Sequence, residues 1–176
     1  MKRLILVLCA AVACRLEASS FISVGGVKLY RALPPPESGV ELREYLPIGE
    51  TYGSWTRSAS VRVYKDLHED PKAFLTKMAA TVAKSHPKAF STLIENDKSK
   101  GLILNFVLFP PASDPNPFAE WSVMRAEYAA GKGFVVYQYG MRVHGLGKET
   151  AAILDAERLR MTGPFDAASF EEEPDG

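Results

Sequence analysis

Hydrophobic residues recur at two different periods along this chain, and each period predicts a different element. Between residues 55 and 64 apolar and polar positions alternate, which is typical of a half-buried strand. Residues 71–86 carry apolar side chains at helical spacing, and Asp70 stands where it can cap a helix. A second helical pattern covers about residues 148–162 and ends before a glycine and a proline. The chain therefore contains both strands and helices.

Further strand patterns complete the predicted fold. Residues 102–109 are almost continuously apolar, which favours a central strand covered on both faces. Residues 121–128 and 134–143 flank a short Gly-Lys-Gly segment and predict a hairpin. No strand–helix–strand unit repeats. We therefore expect an α+β fold, with a single antiparallel β-sheet on which the long helix (about 71–86) and the C-terminal helix (about 148–162) pack.

The same patterns divide the chain into segments. The α+β domain is expected over residues 40–163. Residues 14–39 are expected to be a lead-in and linker, since they hold a possible hairpin around Gly25-Gly26 and then the stiff run Pro34-Pro35-Pro36. Residues 164–176 are expected to be a flexible tail, because acids crowd it without a basic residue.

The first residues indicate where the protein works. Lys2 and Arg3 precede ten apolar residues, 4–13, which are too few to cross a hydrocarbon core about 30 Å thick. A positive flank, a short apolar run and small residues at its end are typical of an export signal. We therefore expect residues 1–13 to be a signal peptide that directs the protein out of the cytoplasm.

Two cleavage sites are consistent with this signal. Residues 11–14, Ala-Val-Ala-Cys, resemble a bacterial lipobox, in which Cys14 would carry the lipid, although Ala11 stands where leucine is usual. The alternative is ordinary cleavage after Ala18, which would make residues 1–18 the signal peptide. The first predicts a lipoprotein on the periplasmic face of a bacterial membrane, and the second predicts a soluble periplasmic or secreted protein.

Cysteine content and charge exclude several functional classes. The only cysteines are Cys9 and Cys14, so the domain after the signal has no disulfide, cysteine nucleophile or cysteine metal site. The chain holds 21 basic and 21 acidic residues, a balance that does not favour binding to nucleic acid.

One short motif carries a family resemblance. Residues 44–50, Glu-Tyr-Leu-Pro-Ile-Gly-Glu, followed by Trp55-Thr56, are similar to a group of small exported bacterial proteins of uncharacterised function. The resemblance covers about residues 40–145 and implies a layout like the PsbP-type α+β sandwich. From the residues themselves, Tyr45 and Trp55 are expected to be core aromatics beside a turn. Glu50 is either an acid that stabilises this turn or a ligand-binding carboxylate.

The search for catalytic chemistry gives little. His68 lacks the second histidine of a zinc protease motif, His86 suits a helix end, and His144 precedes a glycine pair without the spacing of a phosphate-binding loop. We therefore expect no catalytic residue, no metal site and no cofactor. A possible binding surface is predicted to consist of five residues: Glu50, Trp55, Arg57, Arg142 and His144.

Three functional hypotheses follow. The first is a non-catalytic exported envelope domain, lipid-anchored through Cys14, that binds a protein or small molecule on its sheet face or in a groove beneath the long helix. The second is a small periplasmic hydrolase that uses His144 or His68 with neighbouring carboxylates. The third is a structural subunit of an envelope complex.

Overall fold

A computed structural model describes residues 16–33, 39–96, 101–109, 117–162, 165 and 170–174. The predicted signal peptide, Cys14 and the proline run 34–36 lie outside these residues. Within the described part of the chain, neither helix is long and apolar enough to span a membrane.

Across the described residues, nine strands form one antiparallel sheet in the order β5-β6-β7-β8-β4-β3-β2-β1-β9. The strands are β1 (Leu16–Val24), β2 (Val27–Ala32), β3 (Glu41–Leu46), β4 (Arg57–Tyr64), β5 (Phe90–Asn96), β6 (Gly101–Leu108), β7 (Phe118–Ala129), β8 (Gly133–His144) and β9 (Glu173–Pro174). The helices are α1 (Pro71–Ser85), between β4 and β5, and α2 (Lys148–Thr162), after β8.

The predicted α+β fold class, with a long helix packed on a sheet, is wrong. Among the described residues the nine strands contain 70 residues and the two helices contain 30, fifteen in each helix. Sequence periodicity identifies a helix from its own residues, whereas a strand is completed by partners that lie far away in the chain. The prediction therefore missed how far the sheet extends, and with it the dominance of β structure.

Alternation along the strands gives the sheet two different faces. The face that carries α2, here the α2 face, holds the larger core, which includes Ile22, Leu29, Tyr45, Val61, Ile103, Trp121, Val123, Val135, Tyr139, Leu154 and Met161. The opposite face, here the α1 face, holds a smaller core under α1, made of Leu75, Val82, Leu104, Phe106, Met124, Ala126, Phe134 and Val136. Both helices thus cover apolar side chains, but on opposite sides of the sheet.

Helix α1 begins as its sequence predicts. The Asp70 side chain accepts a hydrogen bond from the backbone N–H of Ala73 at 2.9 Å, and Pro71 occupies the first helical position. The helix lies over β5, β6 and β7 on the α1 face. The α1 core does not extend over β3, most of β4 and the C-terminal half of β8, so the α1 face is open there.

The segment expected to be a lead-in forms part of the sheet over residues 16–32. Gly25 and Gly26 have positive φ angles and connect β1 to β2, with Val24 paired to Val27 as the predicted hairpin requires. Ile22, Val24 and Leu29 are fully buried in the α2-face core. Pairing of β2 with β3 joins this hairpin to the rest of the sheet.

The described part of the acidic tail is also attached. Phe165 and Phe170 are buried in the α2-face core, and β9 pairs with β1. The Glu172 carboxylate accepts hydrogen bonds from the Tyr45 hydroxyl at 2.5 Å and from Arg31 at 2.6 Å. The tail was expected to be flexible from its charge, but two buried aromatics and this carboxylate fix the described residues on the domain.

Candidate functional site

A groove lies between α2 and the neighbouring strands on the α2 face. Helix α2 packs against β7 and β8, and residues of α2, β5 and β6 together line the groove. The main part of the groove has a volume of about 230 Å³, and an adjoining hollow of about 210 Å³ shares four lining residues with it. The shared residues are Phe90, Val107, Trp121 and Arg158. We call these two connected cavities the α2 groove.

The walls of the α2 groove are mainly apolar. They include Leu154 from α2, Val107 from β6 and Ala119 from β7. The rings of Phe90 and Phe109 meet edge to face, with centroids 6.3 Å apart. Phe90 is 71% exposed to solvent. An exposed aromatic ring at the rim of an apolar cavity offers contact area to a ligand.

Polar groups without partners lie within this apolar lining. Asn105 is 5% exposed, and among the described residues neither Oδ1 nor Nδ2 of its amide has a hydrogen-bond partner. The Nε1–H group of Trp121, a residue that is 1% exposed, also has none there. Both residues line the same hollow. Buried polar groups are nearly always hydrogen-bonded, so such groups indicate a missing partner.

The sheet register explains why these groups lie close together. On the α2 face, Asn105 of β6 stands opposite Val123 of β7, and Val107 stands opposite Trp121. Asn105 and Trp121 are therefore diagonal neighbours on adjacent strands, a distance that long and aromatic side chains can span. Thr92 of β5 is paired with Asn105 on the other side and also lines the hollow.

The groove carries no net charge from its described lining. Arg158 is its cation, and the Arg158 guanidinium hydrogen-bonds the Asp155 carboxylate, also in the lining, at 2.7 and 3.0 Å. Because this ion pair is internal, an ionised ligand would gain no opposite charge from it without breaking it. The groove is therefore suited to a neutral, mainly apolar molecule.

A buried carboxylate holds α2 in place beside the groove. Glu157 is 7% exposed, accepts a hydrogen bond from the Tyr139 hydroxyl at 2.6 Å, and pairs with Arg160 at 2.5 Å. Burial alone would raise the pKa of Glu157, but the hydrogen bonds from Arg160 and Tyr139 lower it overall. Burial and the bond to Glu157 also raise the pKa of Tyr139 well above its usual range.

The structure divides the five predicted binding residues between the two faces. Arg57 lies on the α2 face, where its Nε is 3.7 Å from Glu157 Oε1. On the α1 face, the Arg142 guanidinium stacks on the Trp55 ring at 3.7 Å and on the Phe118 ring at 4.6 Å. Arg142 Nε also donates to Glu120 Oε2 at 3.0 Å.

The remaining predicted residues have local partners or lie at the surface. Glu50 accepts hydrogen bonds from the backbone N–H of Thr56 at 2.6 Å and from its hydroxyl at 2.7 Å, which matches an acid that stabilises the turn. His144 is exposed, with its ring centroid 6.4 Å from that of Phe118. Tyr45 is fully buried as predicted, whereas Trp55 is only half-buried and belongs to neither core.

No catalytic constellation emerges from the described residues. His68, His86 and His144 are all exposed, and no hydrogen bond joins any of their side chains to an acid and a hydroxyl within the described ranges. Across the same ranges, no group of three or more histidine, cysteine or acidic residues could hold a metal ion. Geometry thus gives no support to the hydrolase hypothesis.

A second, more polar cleft of about 180 Å³ lies on the α1 face. The Arg62 guanidinium donates to Ser60 at 2.9 Å and to the Gln138 amide oxygen at 3.2 Å, and it approaches Glu44 at 3.9 Å. Gln138 Nε2 in turn lies 3.5 Å from the Ser122 hydroxyl. These side chains satisfy one another, so the cleft does not point to a missing ligand as the α2 groove does.

Sequence reasoning missed the two residues that distinguish the α2 groove. Asn105 is the single polar residue in the apolar run 102–109, and a polar residue in a strand expected to be buried on both faces was the available signal. Trp121 gave no such signal, because an aromatic residue in a strand is ordinary. Only the sheet register brings the two together.

Comparison with known proteins gives a family but no function. No curated protein and no solved structure matches the chain significantly. One family model matches residues 37–162, a span that includes β3 to β8 and both helices but not the β1–β2 hairpin. The chain belongs to this family, whose function is unknown.

Proposed function

We propose that this protein is a non-catalytic binding domain that works outside the cytoplasm and takes a small, mainly apolar molecule into the α2 groove. The observation that carries the proposal is the α2 groove itself, an open and mainly apolar cavity between α2 and the sheet with the exposed ring of Phe90 at its rim. An apolar pocket with a few convergent polar groups is the usual form of a small-molecule site.

The dimensions of the groove favour a small molecule over a protein segment. The two connected cavities of the α2 groove, of about 230 and 210 Å³, together lie at the lower end of the usual range of small-molecule pockets, about 300 to 1,000 Å³. An α-helix has a diameter of about 10 Å with its side chains, which is too wide for such a space. A molecule of about ten to twenty non-hydrogen atoms would fill the groove, and its affinity would be modest.

Export and lipid anchoring form part of the same proposal and are supported by the N-terminal sequence. The positive flank, the apolar run 4–13 and Cys14 favour a lipoprotein whose partner, a small molecule or a protein, is in the cell envelope. In the producing bacterium, Cys14→Ser should move the protein from the membrane fraction to the soluble fraction, because acyl chains supply the membrane affinity. An unmodified N-terminus at Ser19, measured by intact mass in the wild type, would support ordinary cleavage instead.

Binding is tested with a neutral apolar dye and a matched pair of variants. Phenylnaphthylamine fluoresces more strongly in apolar surroundings, so the wild type should give a saturable increase in fluorescence. Ala151 lines the groove from α2 and is exposed, whereas the neighbouring Ala152 is exposed but does not line it. We expect Ala151→Phe to fill the groove and weaken dye binding at least about tenfold, or about 1.4 kcal/mol.

Ala152→Phe is the control, since it adds the same ring to the same helix outside the groove. It should bind the dye like the wild type, and both variants should melt like the wild type. Equal dye affinity in all three proteins would show that the groove is not the binding site.

A further inference from the structure

We infer that this protein forms a dimer through β5, whose outer edge pairs antiparallel with β5 of a second copy so that the two sheets become continuous. β5 is one of the two edges of the described sheet, and no described strand pairs with its outer side. An edge strand presents unpaired backbone N–H and C=O groups, which a further strand can satisfy. Association through β5 needs no ligand and is therefore independent of the proposed function.

The two edges of the sheet differ in the features that prevent such pairing. At one edge β9 has only two residues, Glu173 and Pro174, and a proline has no backbone N–H to donate. At the other edge β5 has seven residues and pairs with β6 along its whole length in an unbroken register. The first five residues of β5, Phe-Ser-Thr-Leu-Ile, include no charge, proline or glycine. β5 is therefore without the short length, proline, bulge or central charge by which proteins protect an edge strand.

β5 also exposes apolar side chains on both faces of the sheet. Phe90 and Ile94 line the α2 groove, so they lie on the α2 face, and Phe90 is mostly exposed. Leu93 lies on the α1 face, because it pairs with Leu104 of the α1 core, and it is 36% exposed. Burial of these side chains against a second copy would add hydrophobic stabilisation to the backbone hydrogen bonds of the paired strands.

The sequence of β5 is complementary to itself in one antiparallel register. A two-fold axis perpendicular to the sheet at Thr92 places Phe90 opposite Ile94 of the second copy, and aromatic and β-branched residues form favourable cross-strand pairs. Glu95, the charged residue of β5, then stands opposite Ala89 of the second copy rather than another acid. A second copy is favoured over an unrelated strand because it carries this matching sequence and is always present.

Both helices leave room for this arrangement. α1 contacts β5, β6 and β7, which centres it near β6 on the α1 face. β6 and its counterpart in the second copy would be three strand spacings apart, about 14 Å, which exceeds the distance of about 8 to 10 Å between packed helices. α2 packs on β7 and β8, farther from the axis. The two α2 grooves would therefore open side by side over a floor formed by β5 and β6 of each copy.

Sedimentation velocity tests the dimer. The protein carries Cys9→Ser and Cys14→Ser, so that neither a lipid nor a native thiol contributes to association. We expect a reversible monomer–dimer equilibrium at protein concentrations of about 1 to 100 μM, because an interface formed mainly by one strand is small.

A matched pair of variants at the axis locates the interface. Thr92 is exposed, so its replacement should leave the fold intact. Thr92→Lys places two like charges opposite each other and should weaken dimerisation at least about tenfold. Thr92→Val keeps an uncharged β-branched side chain and should dimerise like the parent protein.

Cross-linking tests the register. Thr92→Cys in the same protein places two thiols opposite each other, with Cβ atoms about 5 Å apart, so a short bismaleimide should link the two copies. Glu95→Cys is the control, because Glu95 is also exposed on β5, but the two thiols would be six residues apart along the strands, about 20 Å. We expect a covalent dimer from Thr92→Cys and little from Glu95→Cys.

Three results would overturn this dimer. They are a monomer at every concentration, a dimer that Thr92→Lys leaves unchanged, and equal cross-linking of Thr92→Cys and Glu95→Cys. None of these measurements involves a ligand, so failure of the dimer would leave the proposed binding function unaffected.

Discussion

The two tryptophans of this chain lie on opposite faces of one sheet and have opposite environments. Trp55 is half-buried on the α1 face, where it stacks on Arg142, and Arg142 in turn is hydrogen-bonded to Glu120. Trp121 is 1% exposed on the α2 face, where its indole N–H and the neighbouring Asn105 amide lack partners among the described residues. On the α1 face Arg142 therefore has polar and aromatic partners, whereas beside the α2 groove the buried polar atoms of Asn105 and Trp121 have none among the described residues.

This difference helps to separate structure from function. Charged and aromatic residues are the usual candidates for a binding surface when only the sequence is known. Four of the five predicted binding residues lie on or near the α1 face: Glu50, Trp55, Arg142 and His144. Most of them already contact partners within the protein. The α2 groove contains an ordinary asparagine and an ordinary tryptophan. A buried polar atom without a partner calls for a physical explanation, whereas a conspicuous residue whose partners are in place is already explained by them.

The largest expected effect compares the two tryptophans directly. Trp121→Ala should lower the free energy of unfolding by roughly 3 to 5 kcal/mol, as expected for a buried aromatic replaced by alanine. Trp55→Ala should cost only about 1 to 2 kcal/mol, the value of a partly desolvated cation–π contact. Urea unfolding of both variants measures the difference. Equal costs would mean that the two faces contribute alike to the core.

The ion pair on the α1 face gives the second prediction. Arg142→Ala should cost about 2 to 3 kcal/mol, because it leaves the carboxylate of Glu120, which is 9% exposed, without its charged partner. The double variant with Glu120→Gln should recover part of this loss, since the unpaired charge is then gone. Additive costs in this double-mutant cycle would contradict the coupling.

The third prediction has opposite signs on the two faces. Asn105→Leu should raise the free energy of unfolding by about 1 to 2 kcal/mol, because it replaces an amide that lacks partners with an apolar side chain of similar size. Gln138→Leu, the matched change on the α1 face, should lower it by about 1 kcal/mol, because Gln138 bonds Arg62 and Ser122. Destabilisation by Asn105→Leu would show that the amide has a stabilising partner after all.

The smallest expected effect concerns pH and the attached tail. Burial would raise the pKa of Glu172, but hydrogen bonds from Tyr45 and Arg31 lower it below the usual glutamate value. A lowered pKa stabilises the fold above the value of the unfolded chain, and this contribution is lost as pH falls through the folded-state pKa. The wild type should therefore exceed Glu172→Gln in stability at neutral pH, and the two should converge in strong acid.

Glu171→Gln serves as the control for the tail, because Glu171 is an exposed neighbour of Glu172. Its stability should match that of the wild type across the pH range. A constant difference between the wild type and Glu172→Gln at every pH would mean that the ionisation of Glu172 does not attach the tail.

Much of the local structure could be predicted from the sequence. The Asp70 cap and the Gly25-Gly26 hairpin each depend on residues close together in the chain, and the structure confirms both. The sequence also predicts the export signal and the lipid site at Cys14, which lie outside the described residues and remain predictions. Local patterns suffice here because capping, turn geometry and signal recognition act over a few residues.

Only the tertiary structure decided the fold class and the candidate site. The nine-stranded sheet depends on pairing between distant segments, which recruits β1, β2 and β9 into a domain that sequence periodicity placed after residue 40. The α2 groove likewise exists because the β6–β7 register places Asn105 beside Trp121, while α2 covers β7 and β8. Which strands pair depends on residues that are distant in the chain, and local sequence patterns do not show this. Local patterns therefore predicted individual helices, turns and strands of this protein. The pairing of the strands determined its fold and its candidate site.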